Sequence, residues 1–139
     1  LPHPYNNRVN KLALCACRQI EPLVHIAKQK YGADRIGIVL GITDNGSEET
    51  NAFLSRVMSA SGEGDEQEAV GTSGEADSNL YVLNMQCLGL CAEYLSTFFG
   101  ISGFTSTVST ACTSSAHAVI RADELLKSGV CDVKAACTF

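Results

Sequence analysis

The sequence predicts an α/β fold in which helices cover a mainly parallel sheet. Two patterns carry that expectation. Short apolar, β-branched runs at Ile36 to Ile42, Phe104 to Val108 and Val130 to Ala136 have the length of buried strands, and stretches with helical spacing separate them. Strands that alternate with helices are joined by crossovers, which leave the strands parallel. The balance of 45% hydrophobic and 18% charged residues over 139 positions is that of one soluble domain with material for a core.

Each element follows in order. From Arg8 to Lys30, the residues Leu12, Ala16, Ile20, Leu23 and Ala27 form a helical stripe interrupted by Pro22. An interior proline costs about 3 kcal/mol, so a kink or two consecutive helices are expected there. Tyr31-Gly32-Ala33-Asp34 stops the helix, and Arg35 to Leu40 reads as a buried strand closed by Gly41. Thr43 to Thr50 (TDNGSEET) supplies a loop and an acidic first turn for a helix reaching about Met58. Residues 59–79, rich in Gly, Ser, Glu and Asp, cannot bury apolar area and read as an excursion loop. Leu80 to Phe99 has a helical pattern that Gly100 and Gly103 end before the strand Phe104 to Val108. A further helix runs from Cys112 to about Lys127, Gly129 terminates it, and Val130 to Ala136 forms the last strand.

Charge and composition exclude several classes. A net charge of −5 without a basic cluster argues against a nucleic-acid surface. The longest apolar run, Ile36 to Ile42, is far below the roughly 18 residues that span a bilayer, and no N-terminal signal pattern is present. The expectation is a soluble, cytoplasmic protein. Seven cysteines, an odd number placed mostly in apolar segments, read as reduced and buried thiols. Cys15 and Cys17 would not share a helix face and Cys87 and Cys91 would, but neither pair has structural zinc spacing, and no metal site is expected.

Cys112 stands apart because it lies between a strand and a helix, within VSTACTSSAHAV (108–119). At a helix start the backbone N–H groups are unpaired and the helix dipole is positive, and both favour a thiolate. Ala111, Thr113, Ser114, Ser115 and Ala116 are small enough to leave room for an acyl group, and the Cys112 N–H can donate to a developing oxyanion. His117 lies about 140° around the helix from Cys112 and is poorly placed to bond the sulfur, so it reads as a packing residue. Nothing in the sequence places His3 or His25 near Cys112. A cysteine phosphatase would need arginine where Ala118 stands, and the GxSxG of a serine hydrolase is absent.

VSTACTSSAHA closely resembles the nucleophile signature of the β-ketoacyl-acyl-carrier-protein synthases, the ketosynthases of the thiolase-like superfamily. NNRVNKLALCACRQIEPLVHIAKQKYGADRIGIVLGITDNGSEE is similar to the family's helix leading into its RIGxVLGTxTxG strand and loop. The Gln86, Gly89 and Ala92 to Leu95 pattern, GISG (100–103) and DELLKSGVCD (123–132) fall in the family's order. The resemblance implies a thiolase-like layered fold, with residues 1–139 forming part of the N-terminal half, without that half's first strand or the C-terminal half. It implies that Cys112 accepts an acyl chain from acyl carrier protein as a thioester. Decarboxylation of malonyl-carrier protein then yields a carbanion that attacks the thioester, in fatty acid or polyketide synthesis. No cofactor is implied. A cysteine at this position, rather than the glutamine of non-condensing chain-length partners, favours the catalytic subunit, and FTSTV (104–108) resembles the strand through which ketosynthases form homodimers.

The family's catalytic histidines, its lysine and its second oxyanion amide belong to a later half, so the 139 residues by themselves are expected to be inactive in condensation. The alternative is a catalytically silent dimerising partner or a truncated remnant with the same fold. One residue breaks the pattern. Lys134 stands in what should be an apolar strand, a costly position unless the ammonium reaches solvent.

Overall fold

The computed structural model describes residues 1, 4–60 and 86–138. The described helices are α1 (Arg8–Cys17), α2 (Glu21–Tyr31), α3 (Ser47–Ala60), α4 (Leu90–Phe99) and α5 (Ser114–Lys127), and the strands are β1 (Ile36–Gly41), β2 (Thr105–Val108) and β3 (Val133–Thr138). Asn7 begins α1 because its side chain accepts the Asn10 N–H at 2.7 Å, satisfying a donor that the first turn leaves open. A 3₁₀ turn, Arg18–Ile20, separates α1 from α2. Pro22 lies in the first turn of α2, where its missing N–H costs no helical bond. The two-helix outcome therefore holds, and Pro22 kinks neither α1 nor α2.

The sheet has the order β2-β1-β3, and both ladders are parallel, with Gly41 opposite Val108 on one side and Thr138 on the other. Central β1 is buried along its whole length. Ile36, Ile38 and Leu40 turn to one face, where Ala13, Cys17, Val24, Ala27, Leu95 and Phe99 of the α1, α2 and α4 layer cover them. Val39 turns to the other, against Ala118, Ala122 and Leu125 of α5. Strands covered on both faces lose polar alternation, which is why IGIVLG is almost continuously apolar. Each large side chain buried here contributes roughly 1.5–3 kcal/mol.

Several expectations need correction. The helical stripe holds at Ala27, which is buried, and Ile20, which packs against the core, but is displaced elsewhere: Ala16 is exposed, Leu12 and Leu23 are 56% and 65% exposed, and Asn10, Ala13, Cys17 and Val24 turn inward with Ala27. The mostly small inward residues let α1 and α2 pack over β1 and α4 in one core. Of the helix expected over Leu80 to Phe99, residues 80–85 lie outside the described residues, and α4 begins at Leu90, with Cys87 ahead of it rather than on a face shared with Cys91. The last strand begins at Val133 rather than Val130, because Val130 N–H and Cys131 N–H both turn back to Leu125 O to close α5. Of the excursion segment, residues 59 and 60 complete α3, and the remainder falls outside the described residues. No described helix is long and apolar enough to cross a membrane.

Candidate active site

Cys112 lies in a 3₁₀ turn, Ala111–Thr113, that joins β2 to α5 at the carboxyl edge of the sheet. The chain reaches this turn through Ala111, the one non-glycine among the described residues with positive φ, at 51°. Such a conformation costs a β-carbon-bearing residue of order 1–3 kcal/mol and persists where surrounding bonds enforce it. Those bonds are present. Ser114 Oγ accepts the Thr110 N–H at 2.9 Å and its hydroxyl donates to Ala111 O at 2.7 Å, while the Thr113 hydroxyl donates to Thr110 O at 2.7 Å. Ser114 is buried, and Cys112 in the turn it braces is exposed.

Close packing fixes the height of the turn over the sheet. A β-carbon at Gly41 would stand 2.7 Å from Ser114 O and 3.0 Å from Ser115 N, so only glycine lets the end of β1 approach the start of α5 this closely. The turn's hydrogen bonds begin with Thr113 N–H to Thr110 O and Ser114 N–H to Ala111 O. The Cys112 N–H precedes both, at the amino-terminal end where helical donors lack internal acceptors. A thiol and an amide thus stand together at an open helix start. This arrangement suits nucleophilic attack on a carbonyl with stabilisation of the oxyanion.

The other residues singled out from the sequence are dispersed. Ala111, Thr113, Ser115 and Ala116 are exposed around the thiol. His117 is exposed too, and its Nδ1 lies 2.8 Å from Thr110 Oγ1, so it is a hydrogen-bonded surface residue rather than a packed one. His25 sits on α2, in the layer on the opposite face of the sheet from α5, paired with Gln29 at 3.1 Å. His3 falls outside the described residues. The reading of the other cysteines as buried is corrected at two positions: Cys17, Cys91 and Cys131 are buried, but Cys15 and Cys87 are exposed, as is Cys112. Among the described residues no group of His, Cys, Asp and Glu could hold a metal ion.

Two features were missed in the sequence. The Thr110, Thr113 and Ser114 hydroxyls brace the turn, a role that the spacing of hydroxyl residues around a helix start could have suggested. Buried Asn7 and Asn45 form the second. Asn7 Nδ2 donates to Asn45 Oδ1 at 3.1 Å and Asn45 Nδ2 donates to Cys87 O at 2.8 Å, tying the start of α1 to the loop after β1.

A parallel sheet covered on both faces by helices defines an α/β layered protein, and its exposed Cys112 thiol lies on a strained strand-to-helix turn at the carboxyl edge of that sheet. Residues 9–138 match the family model described as beta-ketoacyl synthase, N-terminal domain, and the chain belongs to that family. No curated protein matches the chain. Among solved structures it is similar to a ketosynthase, ApeO, in complex with its chain length factor, ApeC, from Xenorhabdus doucetiae, at 30% identity and a TM-score of 0.73. The match covers 97% of this chain and 32% of that one, so the chain spans about a third of the relative's length. The thiolase-like α/β fold expected from the sequence is the one observed.

Proposed function

We propose that the chain is the nucleophile-bearing part of a 3-oxoacyl-acyl-carrier-protein synthase acting in fatty acid or polyketide synthesis. Cys112 Sγ attacks the carbonyl of an acyl-carrier-protein thioester, the Cys112 N–H stabilises the oxyanion, and the carrier thiol departs with a proton. The acyl group then rests on Cys112 until the carbanion left by decarboxylation of malonyl-carrier protein attacks it and expels the Cys112 thiolate. The observation that carries this reading is the exposed thiol beside Ala111, on a turn braced by buried Ser114. The proposal includes a cytoplasmic homodimer paired along the free edge of β2, with acyl carrier protein as the transient partner.

Incubation with radiolabelled acyl-carrier protein, followed by peptide mapping, tests the nucleophile. Label is expected on Cys112 and lost in Cys112→Ser, with the fold retained because the substitution is nearly isosteric. Label persisting in Cys112→Ser, or residing on exposed Cys15 or Cys87, removes the assignment.

A further inference from the structure

We infer that His117 is a positioning residue for Cys112, acting through its hydrogen bond to Thr110; the inference rests on the proposed role of Cys112 as acyl acceptor. His117 acts without touching the sulfur. Its Nδ1 meets Thr110 Oγ1 at 2.8 Å across the turn, and Thr110 is the residue from which the chain enters the left-handed conformation of Ala111. Thr110 is held at three points. Its N–H is bonded to Ser114 Oγ, its carbonyl accepts the Thr113 hydroxyl, and its own hydroxyl is bonded to His117.

The first two bonds come from residues of the turn and the first residue of α5, and so can move with the turn. His117 stands three residues further into α5, past the first helical bonds, on a helix locked to the sheet by Ala118 (fully buried) and Ala122. It is the one of these three anchors set in the regular part of the helix. Thr113 Oγ1 also lies 3.1 Å from Thr110 Oγ1, so the three side chains form a continuous polar seam over the outside of the turn. The bond tolerates either protonation state. Neutral imidazole can accept from the Thr110 hydroxyl at Nδ1, and imidazolium can donate to the same oxygen. Asparagine places an amide atom near the position of Nδ1 and can keep the contact; alanine cannot.

The test uses the full chain and four variants: His117→Ala, His117→Asn, Thr110→Val and the double variant Thr110→Val with His117→Ala. His117 and Thr110 are exposed, so thermal unfolding should be close to wild type in each. Two rates are measured at one pH: alkylation of Cys112 by iodoacetamide, and acyl transfer to it from acyl-carrier protein. His117→Ala and Thr110→Val should each slow both rates by roughly two- to tenfold, the range for one modest hydrogen bond. The double variant should be no slower than either single one, and His117→Asn should recover most of the rate. Wild-type alkylation rates in His117→Ala, additive losses in the double variant, or no recovery with asparagine would overturn the inference whatever the fate of the acyl-transfer reading. Absence of acyl transfer in the wild type, with the alkylation pattern intact, strikes the proposed function instead and with it any role of His117 in that reaction.

Discussion

Lys134 Nζ lies 4.5 Å from the centroid of the Phe104 ring, enclosed by protein and without a hydrogen-bond partner. The side chain crosses Gly37, its register partner on β1, where a β-carbon would stand 3.0 Å from Lys134 Cε. The ammonium thus trades solvent for an aromatic face. Arg121 stands over the same ring at 5.8 Å and adds repulsion. Desolvation above all, with Arg121 assisting and Cys131 opposing, holds the Lys134 pKa below its ordinary value of 10.5.

That shift makes stability depend on pH with a definite sign. The unfolded chain binds the Lys134 proton up to its ordinary pKa, whereas the folded chain releases it earlier. Between the two values the unfolded state holds more protons, and stability rises with pH; below the folded value the penalty is full. Lys134→Met should remove the pH-dependent term and stabilise the fold by about 1 kcal/mol at neutral pH, because the stem is only partly buried and the ring attraction offsets some of the cost. Urea unfolding of both proteins from pH 7 to 10.5 checks it. A variant less stable than wild type at pH 7 would show that the ring contact outweighs desolvation.

Gly41→Ala tests the packing beneath the nucleophile. The added methyl meets backbone atoms of Ser114 and Ser115 at 2.7–3.0 Å, which cannot rotate away as a side chain would. Overpacking of this kind costs about 1–3 kcal/mol, and relief requires the start of α5 to lift from the sheet. Reduced stability is therefore expected together with slower acyl transfer to Cys112. Gly89→Ala is the control, since the nearest contact there is Cys87 Sγ at 3.9 Å. Equal effects of the two substitutions would refute the specific role of Gly41.

Much of the architecture was legible because it follows from local chemistry. Alternating strands and helices gave the parallel sheet, Gly100 and Gly129 marked helix ends, and β1's apolar run reported its double coverage. What escaped depends on neighbours distant in sequence. Leu12 and Leu23 satisfied helical periodicity as well as Ala13 and Val24 did, and only the packing against β1 and α4 decides which stripe turns inward. Cys15 and Cys87 read as buried from their type and their apolar segments, yet they fall on exposed positions. Cys112 could be located because a cysteine after a strand and before an alanine-rich helix is locally distinctive. Its bracing by Ser114 and the proximity of Gly41 needed the tertiary structure.

Among the described residues β2 is an edge strand of the sheet, and that edge carries a prediction about assembly. Ile38 N–H bonds Phe104 O and Ile42 N–H bonds Val108 O, so the alternating residues 104, 106 and 108 face β1. Thr105 and Thr107 therefore aim their backbone groups away from the sheet, where a second strand can pair. Thr107→Pro removes one outward donor while leaving the β1 ladder intact, and should shift the proposed dimer toward monomer at micromolar concentration. Sedimentation measures the change. A monomeric wild type, or a dimer indifferent to the substitution, would locate any assembly elsewhere, and assembly only on co-expression with a second, non-identical subunit would replace the homodimer by a heterodimer.

The 139 residues on their own should not release carbon dioxide from malonyl-carrier protein or form a condensation product. Decarboxylation leaves an enolate whose charge needs positioned donors, and losing one oxyanion donor already costs roughly 2.7–4 kcal/mol, or about 10² to 10³ in rate. Of the two described histidines, His25 lies on α2 across the sheet from α5, and the Nδ1 of His117 is bonded to Thr110. The resemblance puts the family's histidine pair in a region beyond the third of the ketosynthase that this chain spans. Acylation asks for less, because it needs the Cys112 thiolate and one amide, so label from acyl-carrier protein can persist where condensation does not. The two steps can be separated by following acylation and release of labelled carbon dioxide in parallel. Turnover by these residues alone would mean that His25, His117 or another group in the chain supplies the decarboxylating chemistry.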